Sequence, residues 1–216
     1  LVFGAVEGRE GMSKGSGSGF VPQKADVLAA YDELAQLLLA DDRRLLDVLR
    51  TRLPSQLLNG LAQVVIDVHE RHSRTLAVLE HLVVAELAVT STTGTLFRTN
   101  SLASKAMTYW ARMAEGAAYL KRVLGPFVQA VASDRYGSLE INPENARPED
   151  DVASNISQLS VLAQEALDAI CRSANECPLQ IRMLCAMLRA HCQAKFPGSG
   201  TQAVGGFIVL RFFSPA

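Results

Sequence analysis

The chain holds 216 residues, of which 49% are apolar, 20% charged and only 6% aromatic, and its formal net charge is -1. Those figures exclude a disordered tail, a collagen-like fibre and a strongly basic nucleic-acid binder, so nucleic acid is not an expected partner. The length allows a sizeable core, and because Leu, Ala and Val carry the apolar share, the expected fold class is all-α.

Residues 11–19, GMSKGSGSG, are too rich in Gly and Ser to offset their ordering entropy. Residues 1–23 are therefore expected to form a flexible N-terminal segment, and 24–216 a helical domain. Val27, Tyr31, Leu34 and Leu38 make a first helical stripe, and Asp41 and Asp42 are placed to cap a short helix carrying Leu45, Leu46 and Leu49. Pro54 resets the chain ahead of a stripe at Leu57, Leu61, Val64 and Val68. The polar run His69 to Arg74 separates it from another at Leu76, Leu79, Val83 and Leu87. Thr90 to Gly94 reads as an exposed loop. Asn100 or Ser101 is placed to cap one long helix with Leu102, Ala106, Trp110, Met113, Ala117, Leu120 and Leu124 inward, closed by Gly125-Pro126.

A polar connector over 133–151 precedes a helix with Val152, Ile156, Leu159, Ala163, Ala166 and Ile170 inward. Pro178 opens another, bearing Ile181, Leu184, Cys185, Leu188 and Cys192 and ended by Pro197-Gly198-Ser199-Gly200. The last segment, Ala203 to Phe213, is apolar nearly all round, which for a helix means a buried central position; a strand is the weaker alternative. Its exception is Arg211, whose guanidinium cannot lose its proton and must find acceptors. The chain stops at Ala216 within this apolar segment and reads as part of a longer protein, truncated at its C-terminal end.

Charge is sorted along the chain. Between Thr95 and Gly125, Arg98, Lys105, Arg112, Lys121 and Arg122 face Glu115 alone, whereas between Ser133 and Asp151 six carboxylates face only Arg135 and Arg147. A basic stretch beside an exposed loop suits an acidic partner or a phosphate, and equally a solvated helix face. Chemistry of the chain's own is thinly represented. No GxxxxGK[ST] or GxSxG motif occurs, and His69 and His72 flank Glu70 in the order HERH, which lacks zinc-site spacing. Cys171, Cys177, Cys185 and Cys192 contain no CxxC pair and read as reduced, intracellular core thiols. No run reaches the roughly 18–20 apolar residues of a membrane span.

The stretch Thr95-Leu96-Phe97-Arg98-Thr99-Asn100-Ser101-Leu102-Ala103-Ser104-Lys105 resembles the finger-loop signature of Ras GTPase-activating proteins, and Phe207 to Ala216, FIVLRFFSPA, resembles their FLR-x3-PA helix motif. Tyr119-Leu120 with Pro126, the PEN-x-RP-x-DD stretch and Cys177-Pro178-Leu179-Gln180-Ile181-Arg182 are also similar to that family, most of all to neurofibromin and its fungal counterparts. The strong likeness covers Thr95 to Ala216, and the two motifs stand in the family's order.

The resemblance implies an irregular helical bundle that stimulates GTP hydrolysis by a GTP-bound Ras-family GTPase. It would do so by inserting an arginine in trans, switching off Ras signalling without being an enzyme itself. Arg98 matches the finger and Arg211 the second arginine, which holds the finger loop through its backbone carbonyls. Phe97, Thr99, Asn100, Lys105 and Leu210 would pack at the loop or meet the partner. No cofactor of its own is implied, since GTP and Mg²⁺ belong to the partner. The implied location is cytoplasmic, with recruitment to the inner face of the plasma membrane only through the full-length protein. The alternative is a helical scaffold that binds a small GTPase without activating it.

Overall fold

The computed structural model describes residues 24–97, 99–133 and 136–215. The expected flexible segment over 1–23 lies outside them, as does Arg98. Nine α-helices occur among the described residues, with no strand: α1 (Lys24–Leu39), α2 (Arg44–Arg52), α3 (Leu58–Arg71), α4 (Thr75–Val89), α5 (Leu102–Ala111), α6 (Ala114–Ala132), α7 (Val152–Arg172), α8 (Leu179–Lys195) and α9 (Gly200–Phe207). The last runs directly into a π-helical turn, Ile208–Phe213.

The centre of the bundle is built by α3, α4, α5, α8 and α9. The stripe expected on α4 is inside, with Leu79, Val83 and Leu87 buried and joined by Val78 and Leu82. On α8, Ile181, Leu184, Leu188 and Cys192 are buried as their spacing predicts. The buried face of α3 is rotated by about one residue from the expected one. Leu58, Ala62, Val65, Ile66 and His69 face inward, while Leu57 and Val64 are exposed. Ala62 and His69 do not register as apolar anchors in a count of large aliphatics, yet α5 packs closely against this face. Three polar bonds tie the two helices: Lys105 Nζ donates to Asn59 Oδ1 (2.6 Å), Tyr109 Oη to Asp67 Oδ1 (2.9 Å) and Trp110 Nε1 to Glu70 Oε2 (3.0 Å).

Other elements depart from the sequence reading for local reasons. On α1 only Leu38 of the stripe's described side chains is buried, and Tyr31 and Leu34 are exposed. Asp42 accepts from Arg44 N (3.3 Å), but Arg43, in the left-handed conformation (φ 49°), occupies the cap position of α2. The long helix expected from Leu102 to Leu124 is two helices, broken at Arg112-Met113. Gly116 makes the break possible, because a Cβ at that position would lie 1.6 Å from the Ala111 carbonyl oxygen. Pro126 does not close α6, which continues to Ala132. The carbonyl that loses its partner belongs to Arg122, an exposed residue, where water can take the bond.

On α7, Asn155 and Leu162 are buried while Ile156 and Leu159 are exposed. The Asn155 amide donates to the Glu140 carbonyl (2.8 Å), so a polar residue fixes the inner face. The terminal segment is helical but one-sided: Ala203, Phe207, Phe212 and Phe213 are buried, Val209 and Leu210 exposed. Phe212 stacks on Tyr119 (6.2 Å between centroids) and meets Phe213 edge-on (5.1 Å). Of the four free thiols only Cys192 is fully buried, and Cys171 is exposed, which corrects the reading of all four as core residues. Burial pushes the Cys185 thiol up to about 12 and that of Cys192 up to about 11, far from thiolate reactivity. No helix among the described residues is long and apolar enough to cross a membrane.

Two outcomes follow from this packing. Gly116→Ala must move backbone at the α5–α6 junction, and urea unfolding is expected to show a loss of about 1–3 kcal/mol. His69 is 1% exposed, with Nδ1 2.8 Å from the Val65 carbonyl, and burial holds its imidazole below the usual histidine range. The folded state therefore binds this proton less well than the unfolded chain. Its stabilising contribution is complete above the ordinary histidine value of about 6.5 and declines as pH falls below it. Thermal melts from pH 7 to 5 should show that decline, and His69→Gln should flatten it.

Candidate functional site

The loop 96–101 leaves the 3₁₀ turn Thr93–Thr95 and delivers the chain to α5. Two devices in its own sequence set its course. Ser101 caps α5, its Oγ accepting from Ser104 N (3.1 Å). Ser104 is buried and its hydroxyl donates back to the Thr99 carbonyl (2.8 Å). At the other end Phe97 has φ 51°, a left-handed conformation that a bulky residue adopts only when the surroundings impose it. They do so here: Phe97 is 3% exposed and belongs to the core.

Three further bonds to the loop come from the far end of the chain. Arg211 Nε donates to Phe97 O (3.0 Å), Nη2 to Thr99 O (3.0 Å) and Nη1 to Asn100 Oδ1 (3.1 Å). The guanidinium thus meets the demand for acceptors with groups on both sides of residue 98. The π-helical turn makes that reach possible. Its widened i→i+5 bond, Ser214 N to Val209 O (2.9 Å), changes the direction of the side chains after Phe207. Its Phe212 carbonyl accepts from Arg112 Nη2 (2.9 Å), so the α5–α6 junction supports the same turn.

Thr99 and Asn100 on the loop are exposed, and Leu210, the residue before Arg211, is 47% exposed. Phe97 has its ring in the core and so anchors the loop. Lys105 is half-buried, and its ammonium is engaged with Asn59. It lies in a groove of about 670 Å³ whose walls also include Tyr109, Arg112, Asn100 and Arg211. No group of three or more metal-ligating side chains is found among the described residues.

Sequence reading missed Glu86 at the end of α4. Its carboxylate accepts from Ser101 Oγ, and from Thr99 Oγ1 at 3.4 Å. Burial pushes this carboxyl up, against the pull of the two hydroxyls and of the Arg211 charge. The one available signal was a carboxylate in an otherwise apolar run, LVVAELAV.

The family model for GTPase-activator proteins for Ras-like GTPases matches residues 78–149 and 144–216. The chain belongs to the Ras GTPase-activating protein family. Among its relatives, mouse Ras GTPase-activating protein 4 is 36% identical over 157 residues, 64% of this chain and 19% of the relative. A GTPase-activating protein of Drosophila melanogaster is 30% identical over 196 residues, 88% of this chain and 17% of the relative. The inhibitory regulator protein IRA2 of Saccharomyces cerevisiae is 30% identical over 164 residues, 76% of this chain and 5% of the relative. The chain therefore spans less than a fifth of the length of these relatives.

Removing the Arg211 guanidinium takes away its bonds to the Phe97 carbonyl and the Asn100 amide oxygen and leaves the Thr99 carbonyl with the Ser104 hydroxyl. Arg211→Ala is expected to cost about 1–3 kcal/mol in denaturant unfolding. It should also speed amide exchange at 99–104 more than in α8, which hydrogen-exchange mass spectrometry can read segment by segment.

Proposed function

We propose that this chain accelerates GTP hydrolysis by a GTP-bound Ras-type GTPase, with Arg98 inserted in trans beside the phosphates. The observation that carries the reading is the seating of Arg211 on the carbonyls of Phe97 and Thr99, which flank Arg98. In phosphoryl transfer, charge spreads onto the phosphate oxygens as the transition state forms. A guanidinium brought there on a fixed loop replaces mobile water with a pre-oriented cation and excludes solvent from the reaction. Its planar fork spans two oxygens, which an ammonium does not do.

Arg211 acts here as the residue that fixes the loop rather than one that meets the nucleotide. Thr99, Asn100 and Leu210 form the rim offered to the GTPase, and the basic stretch from Arg98 to Arg122 suits an acidic partner surface. GTP and Mg²⁺ belong to the partner, so the chain brings no cofactor and its own role is that of an activator. Its motif residues support a likeness to neurofibromin and its fungal counterparts. The site of action would be the cytoplasm, next to membrane-held GTPase recruited through other parts of the full-length protein.

Single-turnover GTP hydrolysis by a Ras-family GTPase tests this. The parent should accelerate the reaction, and Arg98→Ala should remove most of that acceleration, about 10³-fold or more, the range adopted from arginine-finger chemistry in general. An alanine variant as active as the parent contradicts the mechanism. Tight GTP-dependent binding with unchanged hydrolysis would instead make the chain a scaffold.

A further inference from the structure

Arg211 meets the loop at two carbonyls and at the Asn100 side chain, which leaves the hydroxyls of Thr99 and Ser101 to other partners. In this chain those side chains are held from α4. Glu86 accepts from the hydroxyls of Thr99 and Ser101. The first is on the loop and the second is the cap of α5. We infer that Glu86 is a second positioning residue for the arginine loop, tying its C-terminal half to α4 while Arg211 ties its carbonyls to the π-helical turn. The inference rests on the function proposed above.

Three observations support it. The two bonds end on residues one and three positions after Arg98, on the stretch that joins it to α5. The carboxylate is placed in the last turn of α4, between Val83 and Leu87, both buried in the core, so α4 is a fixed post for it. The carboxylate also shares a small pocket with Leu82, Leu102 and Ser101, where burial raises its pKa while the two hydroxyl bonds and the Arg211 charge act to keep it ionised.

Glu86→Met removes both acceptors with little change in length, and Glu86→Gln keeps one. Each is compared with the parent chain in three measurements: melting temperature, amide exchange at 99–101, and single-turnover hydrolysis by a Ras-family GTPase over a range of activator concentration. The expected result is an unchanged or higher melting temperature for both variants. Exchange at 99–101 should be about tenfold faster in Glu86→Met and less so in Glu86→Gln. The saturating rate should fall about tenfold and by a smaller factor respectively, with the half-saturating concentration within about threefold of the parent.

Exchange at 99–101 equal to the parent's in both variants overturns the inference, as does a rate loss that only tracks a loss of melting temperature. Should Glu86→Met fail to fold, the Gln variant decides by the same criteria. If the parent gives no acceleration at all, the proposed function fails on its own, and exchange still decides whether Glu86 orders the loop.

Discussion

One guanidinium joins the two ends of this site. Arg211 lies on a helix that is apolar on its buried face, yet its side chain donates to Phe97 O, Thr99 O and Asn100 Oδ1 on a loop more than a hundred residues earlier. A buried or half-buried loop carbonyl without a donor is costly, and an arginine has donors in a fixed fork and no neutral form to retreat to. Each therefore solves the other's problem. The consequence is geometric: the backbone on both sides of residue 98 is fixed to the π-helical turn, and that turn is fixed to the core by Phe207, Phe212 and Phe213.

The rest of the bundle can be understood as what holds those two segments at the right separation. The break between α5 and α6 turns Arg112 toward the Phe212 carbonyl, and Gly116 allows the two helices to meet at that angle. Tyr119 at the second turn of α6 stacks on Phe212 and shares a hydrogen bond with Ser173 Oγ (2.7 Å), which links the turn onward to the end of α7. On the other side, α3 fixes α5 through Asn59, Asp67 and Glu70, so the helix that begins at the loop is set by a neighbour packed along its length. Phe97, one of three non-glycine residues with positive φ among those described, has its left-handed backbone stabilised by burying its ring.

Much of this was legible before any coordinates. The helical period located α4 and α8 and their buried faces, because both carry runs of Leu, Val and Ile at three- and four-residue spacing. The Ser101 cap and the demand of Arg211 for acceptors were also readable, since each follows from the chemistry of a single side chain. The faces of α3 and α7 were misplaced. Their inner residues include Ala62, His69 and Asn155, which look unsuited to a core until the Val65 carbonyl and the Glu140 carbonyl are seen to meet the two polar ones. Glu86 went unnoticed for a related reason: nothing in a linear pattern says that a carboxylate at the end of one helix will reach the cap of the next.

The near-neutral, aromatic-poor composition and the two motifs were enough to specify a helical protein and its family, because local propensity, capping and motif spacing are properties of neighbouring residues. Where α5 ends, which side of α3 faces inward and why Phe97 tolerates its backbone are different questions. Tertiary packing decided them, because a helix can present any of several overlapping stripes until a neighbour selects one. The same holds for the site. The sequence named Arg98 and Arg211 as chemistry in search of a place, and only folding brought Arg211, Glu86 and the loop carbonyls within bonding distance, through contacts that no local rule encodes.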